Sequence, residues 1–186
     1  EPANYISHTI KGNTFRTVHF TAQSGATAAA SLSGAERMLV NELLANNTFI
    51  DDTKKVKVWA TGFYVNDILP TIYNQTDQVY GSLSEALAEA QSGQTILASG
   101  MTSTEDMTVS AGVTLDGAGN SVFSGKLFVE PGATLRNLTS EWNGTGTRQA
   151  IMVKGSDITL ENLTVTYKGT EEKAEAIVTY AGAENL

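Results

Sequence analysis

Three short phrases recur in the second half of the chain: VTLDG from Val113, ATLRN from Ala133 and ITLEN from Ile158, 20 and 25 residues apart. A second apolar anchor precedes each, at Val109, Val129 and Val153, and the turns SAG, EPG and KGSD separate anchor from phrase. A unit of this size, changing length only between its apolar segments, is the mark of a stacked repeat. Leucine-rich repeats share the period, but they need a helix or 3-10 segment in each unit, and these units are β-prone throughout. A parallel β-helix fits better. One turn of chain per unit stacks at the ordinary strand spacing of ~4.8 Å, so equivalent residues lie over one another.

That geometry assigns the residue types. Leu115, Leu135 and Leu160 form one interior column and Val113, Ala133 and Ile158 another, with Thr114, Thr134 and Thr159 pointing outward. The next position is a corner, occupied by Gly117, Asn137 and Asn162. A sharp corner needs the left-handed backbone that Gly and Asn tolerate. Stacked asparagines can in addition hydrogen-bond between layers and satisfy backbone groups left open by the turn.

Ahead of the repeat, SLSEALAEAQSGQTI reads as a short helix feeding a strand. Ser82 and Glu85 have capping-box spacing, and Gly93 is placed as a left-handed C-cap. Leu83, Ala86, Leu87 and Ala90 give that helix a narrow face of mostly small residues. The first 75 residues read as a separate, small α+β domain. YISHTIKGNTFRTVHF suggests a hairpin about Lys11-Gly12-Asn13. SGAERMLVNELLANN suggests a helix, with Ser33 and Glu36 as its capping box and Leu39, Val40, Leu43 and Leu44 as its apolar stripe. KKVKVWATGFYV has the β-branched and aromatic content of one or two strands.

The capped helix, the VTLDGAGN phrase and the repeated L-x-N-L-T turn together resemble the start of a right-handed parallel β-helix of the pectin-lyase-like superfamily, over roughly residues 78–186. The resemblance implies that the helix caps the end of the stack and that asparagines form a ladder along one corner. It says little about activity, because that superfamily includes polysaccharide lyases, glycoside hydrolases, phage tailspikes, adhesins and noncatalytic surface proteins. The expected fold is thus mainly β: a small α+β domain at 1–75, then a capping helix and the first turns of a β-helix at 76–186. The final AIVTYAGAENL looks like the opening of another turn, so a longer natural protein is expected.

The formal charge of −8 argues against a nucleic-acid partner, since phosphate binding needs a concentrated basic surface. The basic knot Lys54-Lys55-Val56-Lys57 alternates with apolar residues as the solvated face of a strand does. With no cysteine, disulfides, thiolate metal sites and cysteine nucleophiles are excluded. No apolar run reaches the ~18 residues that span a bilayer.

Glycoside hydrolysis needs two carboxyl groups set across the sugar. Asp116 is the inward-looking acid, but LDGAGN places it in a turn. Glu105, Asp106, Asp51, Asp52, Glu171, Glu172 and Glu175 are dispersed, and no acid cluster accompanies Arg136 or Arg148. No cofactor and no metal site are expected, calcium being left open although no spacing resembles a Ca²⁺ loop. His8 and His19 are too few for zinc and read as strand residues. Five N-x-T triplets begin at Asn46, Asn74, Asn137, Asn143 and Asn162, of which Asn137 and Asn162 already serve the corner.

What varies after the repeated phrase is the place to expect a ligand. Stacking Leu138 on Leu163 puts Trp142 near Tyr167, followed by loops from Asn143 and Lys168. Aromatic rings beside polar loops suit a carbohydrate face, with Trp142, Arg148 and Tyr167 as candidate ligand-binding residues, or they close the end of the interior stack. The function expected is that of a noncatalytic, bacterial, secreted or cell-surface protein, adhesin-like or glycan-binding, with a polysaccharide or host glycan as partner. The alternatives are the N-terminal part of a polysaccharide lyase or glycoside hydrolase, and a phage tailspike or fibre component.

Overall fold

The computed structural model describes residues 9–59, 62–76, 78–142, 149–168, 175–180, 182 and 184, and within them the chain is mainly β. The first part contains β1 (Thr14–Phe15), β2 (Val18–Phe20), a 3-10 turn (Ala29–Ser31), α1 (Gly34–Asn46), β3 (Thr48–Phe49), β4 (Val56–Val58) and β5 (Tyr64–Val65). β6 (Thr71–Asn74), β7 (Gln78–Val79) and α2 (Leu83–Glu89) follow. The repeat region comprises β8 (Thr95–Ser99), β9 (Thr102–Ser103), β10 (Met107–Val109), β11 (Thr114–Asp116), β12 (Val122–Phe123), β13 (Leu127–Val129), β14 (Thr134–Trp142), β15 (Gln149–Val153), β16 (Thr159–Tyr167) and β17 (Glu175–Thr179).

The repeat phrases pair in parallel, in register. Leu115 lies opposite Ile96 and Leu135, and Leu135 opposite Leu160, with Thr114, Thr134 and Thr159 in the adjoining row. On a second sheet, of order β10-β13-β15-β17, Val109 pairs with Val129 and Val129 with Val153, while Ile151 pairs with Ile177. The chain therefore visits the two sheets alternately. Leu115, Leu135, Val109, Val129, Val153, Leu127 and Ile151 are all fully buried in one core between them. Burial falls in the last row, where Leu160 and Leu163 are only partly covered and Ile177 is 43% exposed. The turns stack as well. Gly93 N–H donates to the Gly112 carbonyl (2.8 Å) and Gly112 N–H to the Pro131 carbonyl (3.0 Å), with Gly112 at φ +68°. Such a turn admits glycine where most side chains would be strained.

Helix α2 contributes Leu83, Ala86 and Leu87 to that same core. Ser82 accepts from Glu85 N–H (3.2 Å), but the return bond of a full capping box does not form. The helix ends at Ala90, so the left-handed Gly93 (φ +86°) belongs to the next turn and not to the cap.

The first part folds around α1, whose Val40 and Leu43 pack with Leu32, Val56, Val58 and Val65. The first arm of the expected hairpin about Gly12 falls on residues 5–8, outside the described residues. β1 pairs in parallel with β3 and β2 in parallel with β4, while β5 adds to β4 antiparallel. His8 lies outside the described residues. β6 leaves this part to pair antiparallel with β8, so Tyr73 sits opposite Leu97 and joins Ala35 and Met38 of α1 in a small third cluster. Gly34 is bare against the Tyr73 ring, and a Cβ there would collide with it. Among the described residues no helix is long and apolar enough to cross a membrane.

Candidate functional site

Between α1 and the repeat region lies a cleft of about 470 Å³. That volume falls in the range of small-molecule pockets, roughly 300–1,000 Å³. One wall is a single face of α1, carrying Met38, Asn41, Glu42, Ala45 and Asn46. The helical period brings those positions together. The other wall is the corner where β8, β11, β14 and β16 lie side by side, with Asp116, Asn120, Arg136, Asn137 and Asn162.

The helix wall is held by two polar anchors. Ser33 Oγ accepts from Glu36 N–H, and the Glu36 carboxylate accepts from Ser33 N–H (2.9 Å) and from Ser24 N–H (3.0 Å) and its hydroxyl. Burial raises the Glu36 pKa, but these hydrogen bonds from Ser24 and Ser33 outweigh it, and the net shift is downward. Asn41, 2% exposed, is the second anchor. Its oxygen accepts from Leu69 N–H (2.8 Å), and its amide donates to the Leu69 carbonyl (2.7 Å) and to Ser99 Oγ (3.0 Å). Glu42 accepts from Ile10 N–H at 3.1 Å.

On the opposite wall Asp116, 7% exposed, is the hub. One carboxylate oxygen accepts from Ala118 N–H (2.9 Å) and Asn137 Nδ2 (3.0 Å); the other accepts from Arg136 Nε (2.8 Å). Asn162 Nδ2 in turn donates to Asn137 Oδ1 (3.1 Å). The amides thus form a directed chain that ends on a charge. Asn137 (φ +54°) and Asn162 (φ +50°) take the left-handed backbone. In the preceding row the left-handed residue is Ala118 (φ +55°), not Gly117, and the ladder partner there is Asp116. Gly117 serves another purpose. A Cβ on it would strike the Leu138 Cβ and come within 2.7 Å of the Asn137 carbonyl oxygen, so the strands could not approach.

The register explains the cleft. Asp116 pairs with Arg136 and Val122 with Thr139, so five residues of one row, 117–121, span what two residues span in the next. The surplus forms a turn at the cleft rim, pinned where Asn120 Oδ1 accepts from Gly100 N–H (2.8 Å) and Ser121 Oγ donates to the Ala98 carbonyl (2.7 Å).

Chemically the arrangement offers fixed donors and acceptors: among the described residues the two carboxylates lining the cleft, Glu42 and Asp116, both already accept hydrogen bonds. Asp116 accepts three, so both of its carboxylate oxygens are engaged within the wall. Among the described residues no group of three His, Cys, Asp or Glu could hold a metal ion. Arg136, its side chain 37% exposed, lines the cleft while its Nε is held by Asp116.

The aromatic pair expected from the sequence lies elsewhere. Trp142 is in register with Tyr167 at the far end of β14 and β16, and Trp142 packs partly against the main core. The Lys126 ammonium sits 5.7 Å from the Trp142 ring centroid. The Tyr167 hydroxyl is buried without a hydrogen-bond partner among the described residues. Arg148 and the loop from Asn143 lie outside the described residues, so Trp142 and Tyr167 are brought together and the third member is not placed. The α1 wall was missed in the sequence because Asn41, Glu42 and Asn46 read as the polar back of an amphipathic helix. Only the tertiary packing turns that back toward the asparagine corner. No protein-family model, no curated protein and no solved structure matches the chain.

Proposed function

We propose that the protein is a noncatalytic glycan-binding module of the secreted or cell-surface kind. Its residues 76–186 are read as the first turns of a right-handed parallel β-helix capped by α2. The parallel rows of β8, β11, β14 and β16, alternating along the chain with β10, β13, β15 and β17, support that architecture. The observation that carries the functional reading is the cleft wall itself, in which Asp116, Arg136, Asn137 and Asn162 are mutually oriented before any ligand arrives. Planar amide, carboxylate and guanidinium groups match the paired hydroxyls of a sugar, and their prior fixation lowers the ordering cost of binding.

Calorimetry against an oligosaccharide panel tests the reading. Saturable binding without turnover is expected, with Arg136→Ala and Asn162→Ala each weakening it about tenfold, the loss of one or two good hydrogen bonds. Release of reducing ends or unsaturated uronides would replace it with the lyase or hydrolase reading. Binding that ignores both substitutions would remove the cleft from the account.

A further inference from the structure

We propose a second binding surface on the outer face of the β2-β4-β5 sheet, built for a sugar ring that bears a carboxylate. It lies outside the cleft and does not depend on the cleft being occupied. His19, Lys57 and Tyr64 form one register row across the three strands. Val56 and Val58, fully buried on β4, fix the alternation, so Lys57 projects from the opposite face. Trp59, two positions on, is 54% exposed and Tyr64 37% exposed. The His19 and Trp59 rings lie 5.1 Å apart, tilted by 32°. The Lys57 ammonium is 5.8 Å from the Trp59 ring centroid and 5.8 Å from that of Tyr64.

Two features set this row apart from an ordinary solvated strand face. Among the described residues Lys57 is in no ion pair, as is also true of Lys11, Lys54 and Lys126, but its ammonium lies over two rings where those of Lys126 and Lys154 lie over one each. The indole, more than half exposed, has the His19 ring beside it and shares the Lys57 ammonium with the Tyr64 ring, an aromatic surface open to a ligand. Indole and phenol rings offer flat apolar faces to the C–H side of a sugar. The ammonium between them is the one group that selects an anion, and it does so next to apolar surface where a charge pair is less screened. A nucleic acid would need several spaced cations along its phosphates, which a single lysine in a chain of net charge −8 does not provide.

Because the chain has two tryptophans, Trp142→Phe makes Trp59 the sole indole reporter. In that background its fluorescence is titrated with 3′-sialyllactose, a glucuronate-containing disaccharide, lactose and a thymidine hexanucleotide. The expected result is a saturable change with at least one carboxylated sugar, and binding at least about tenfold weaker for lactose, the worth of one charge-assisted contact. Whichever acidic sugar responds identifies the source of the carboxylate. Lys57→Gln, which keeps the stem and removes the charge, is expected to weaken binding about tenfold, while Arg136→Ala leaves it unchanged. Saturation-transfer NMR on Trp59→Ala, whose fold is checked by circular dichroism, is expected to show loss of the ligand signal. The proposal fails if neither acidic sugar gives a saturable response at about 10 mM, beyond the weak end of specific affinity. It fails equally if lactose or the oligonucleotide binds as well as the acidic sugars, or if Arg136→Ala abolishes the response. Loss of cleft binding with this response intact would overturn the cleft and spare this surface.

Discussion

A buried hydroxyl with nothing to bond is the plainest flaw among the described side chains. Ser140 is fully buried on β14 and its Oγ has no partner there. Removing an unsatisfied buried hydroxyl recovers part of a desolvation cost of about 1–3 kcal/mol, so Ser140→Ala is expected to stabilise by about 1 kcal/mol. Urea unfolding of the two proteins measures it, and a lower midpoint for the alanine variant would contradict it. Asp116 is the opposite case, since three donors converge on it. Asp116→Ala leaves them without their acceptor and is expected to cost about 2–3 kcal/mol, limited by the solvent that reaches Arg136. At this scale the corner was half legible. Asn137 and Asn162 announce a left-handed backbone by residue type, and their repeat position says that they stack. Ala118 announces nothing, because alanine has no preference for positive φ; it is held there by the Asp116 carboxylate, an Asx-type turn.

Among the elements, α1 depends most on a few polar atoms. Ser33→Ala removes its N-cap and is expected to cost about 1 kcal/mol, read as a fall in denaturation midpoint. Glu36 adds a pH dependence. Its folded-state pKa is lowered, so it contributes stability that is full above the ordinary carboxylate value and lost as pH falls through the depressed one. Below about pH 4.5 the wild type is therefore expected to lose stability more steeply than Glu36→Gln, and parallel pH profiles of the two would refute the assignment. Both capped helices could be read from Ser-x-x-Glu spacing because a cap is a local interaction. The parallel partners of β1 and β2 could not be read for the converse reason. Gly12 takes φ +71°, as a turn would, and β1 and β2 beyond it find partners in β3 and β4 far along the chain. Which strand wins such a pairing is decided by which side chains can share a face and be buried, a comparison that no short window contains.

For the whole molecule, α1 determines whether the two parts behave as one. It joins the first core through Val40 and Leu43, touches Tyr73 and Leu97 through Ala35 and Met38, and hydrogen-bonds both Leu69 and Ser99 through Asn41. A single cooperative transition is expected, with Trp59 and Trp142 reporting the same midpoint in the two single-tryptophan variants. Asn41→Ala is expected to cost about 2–4 kcal/mol and to lower both midpoints together, because three hydrogen bonds of a buried amide, one of them wholly buried, lose their partner. Separate midpoints would show two independent units. The stacked rows were legible from the repeat spacing, since a period is written in the letters themselves; the cleft was not, being made where a non-repeating helix meets the repeat. The five-for-two mismatch at 117–121 has a practical consequence. Because Asp116–Arg136 and Val122–Thr139 keep their register on either side of it, the rim can change length or letters without re-threading the sheets. Ala118 and Gly119 both take the left-handed backbone (φ +55° and +77°). Variation there, with Asp116, Gly117, Asn120 and Ser121 kept, is therefore best confined to Gly, Asn and Asp, which reshape the rim without disturbing either strand register.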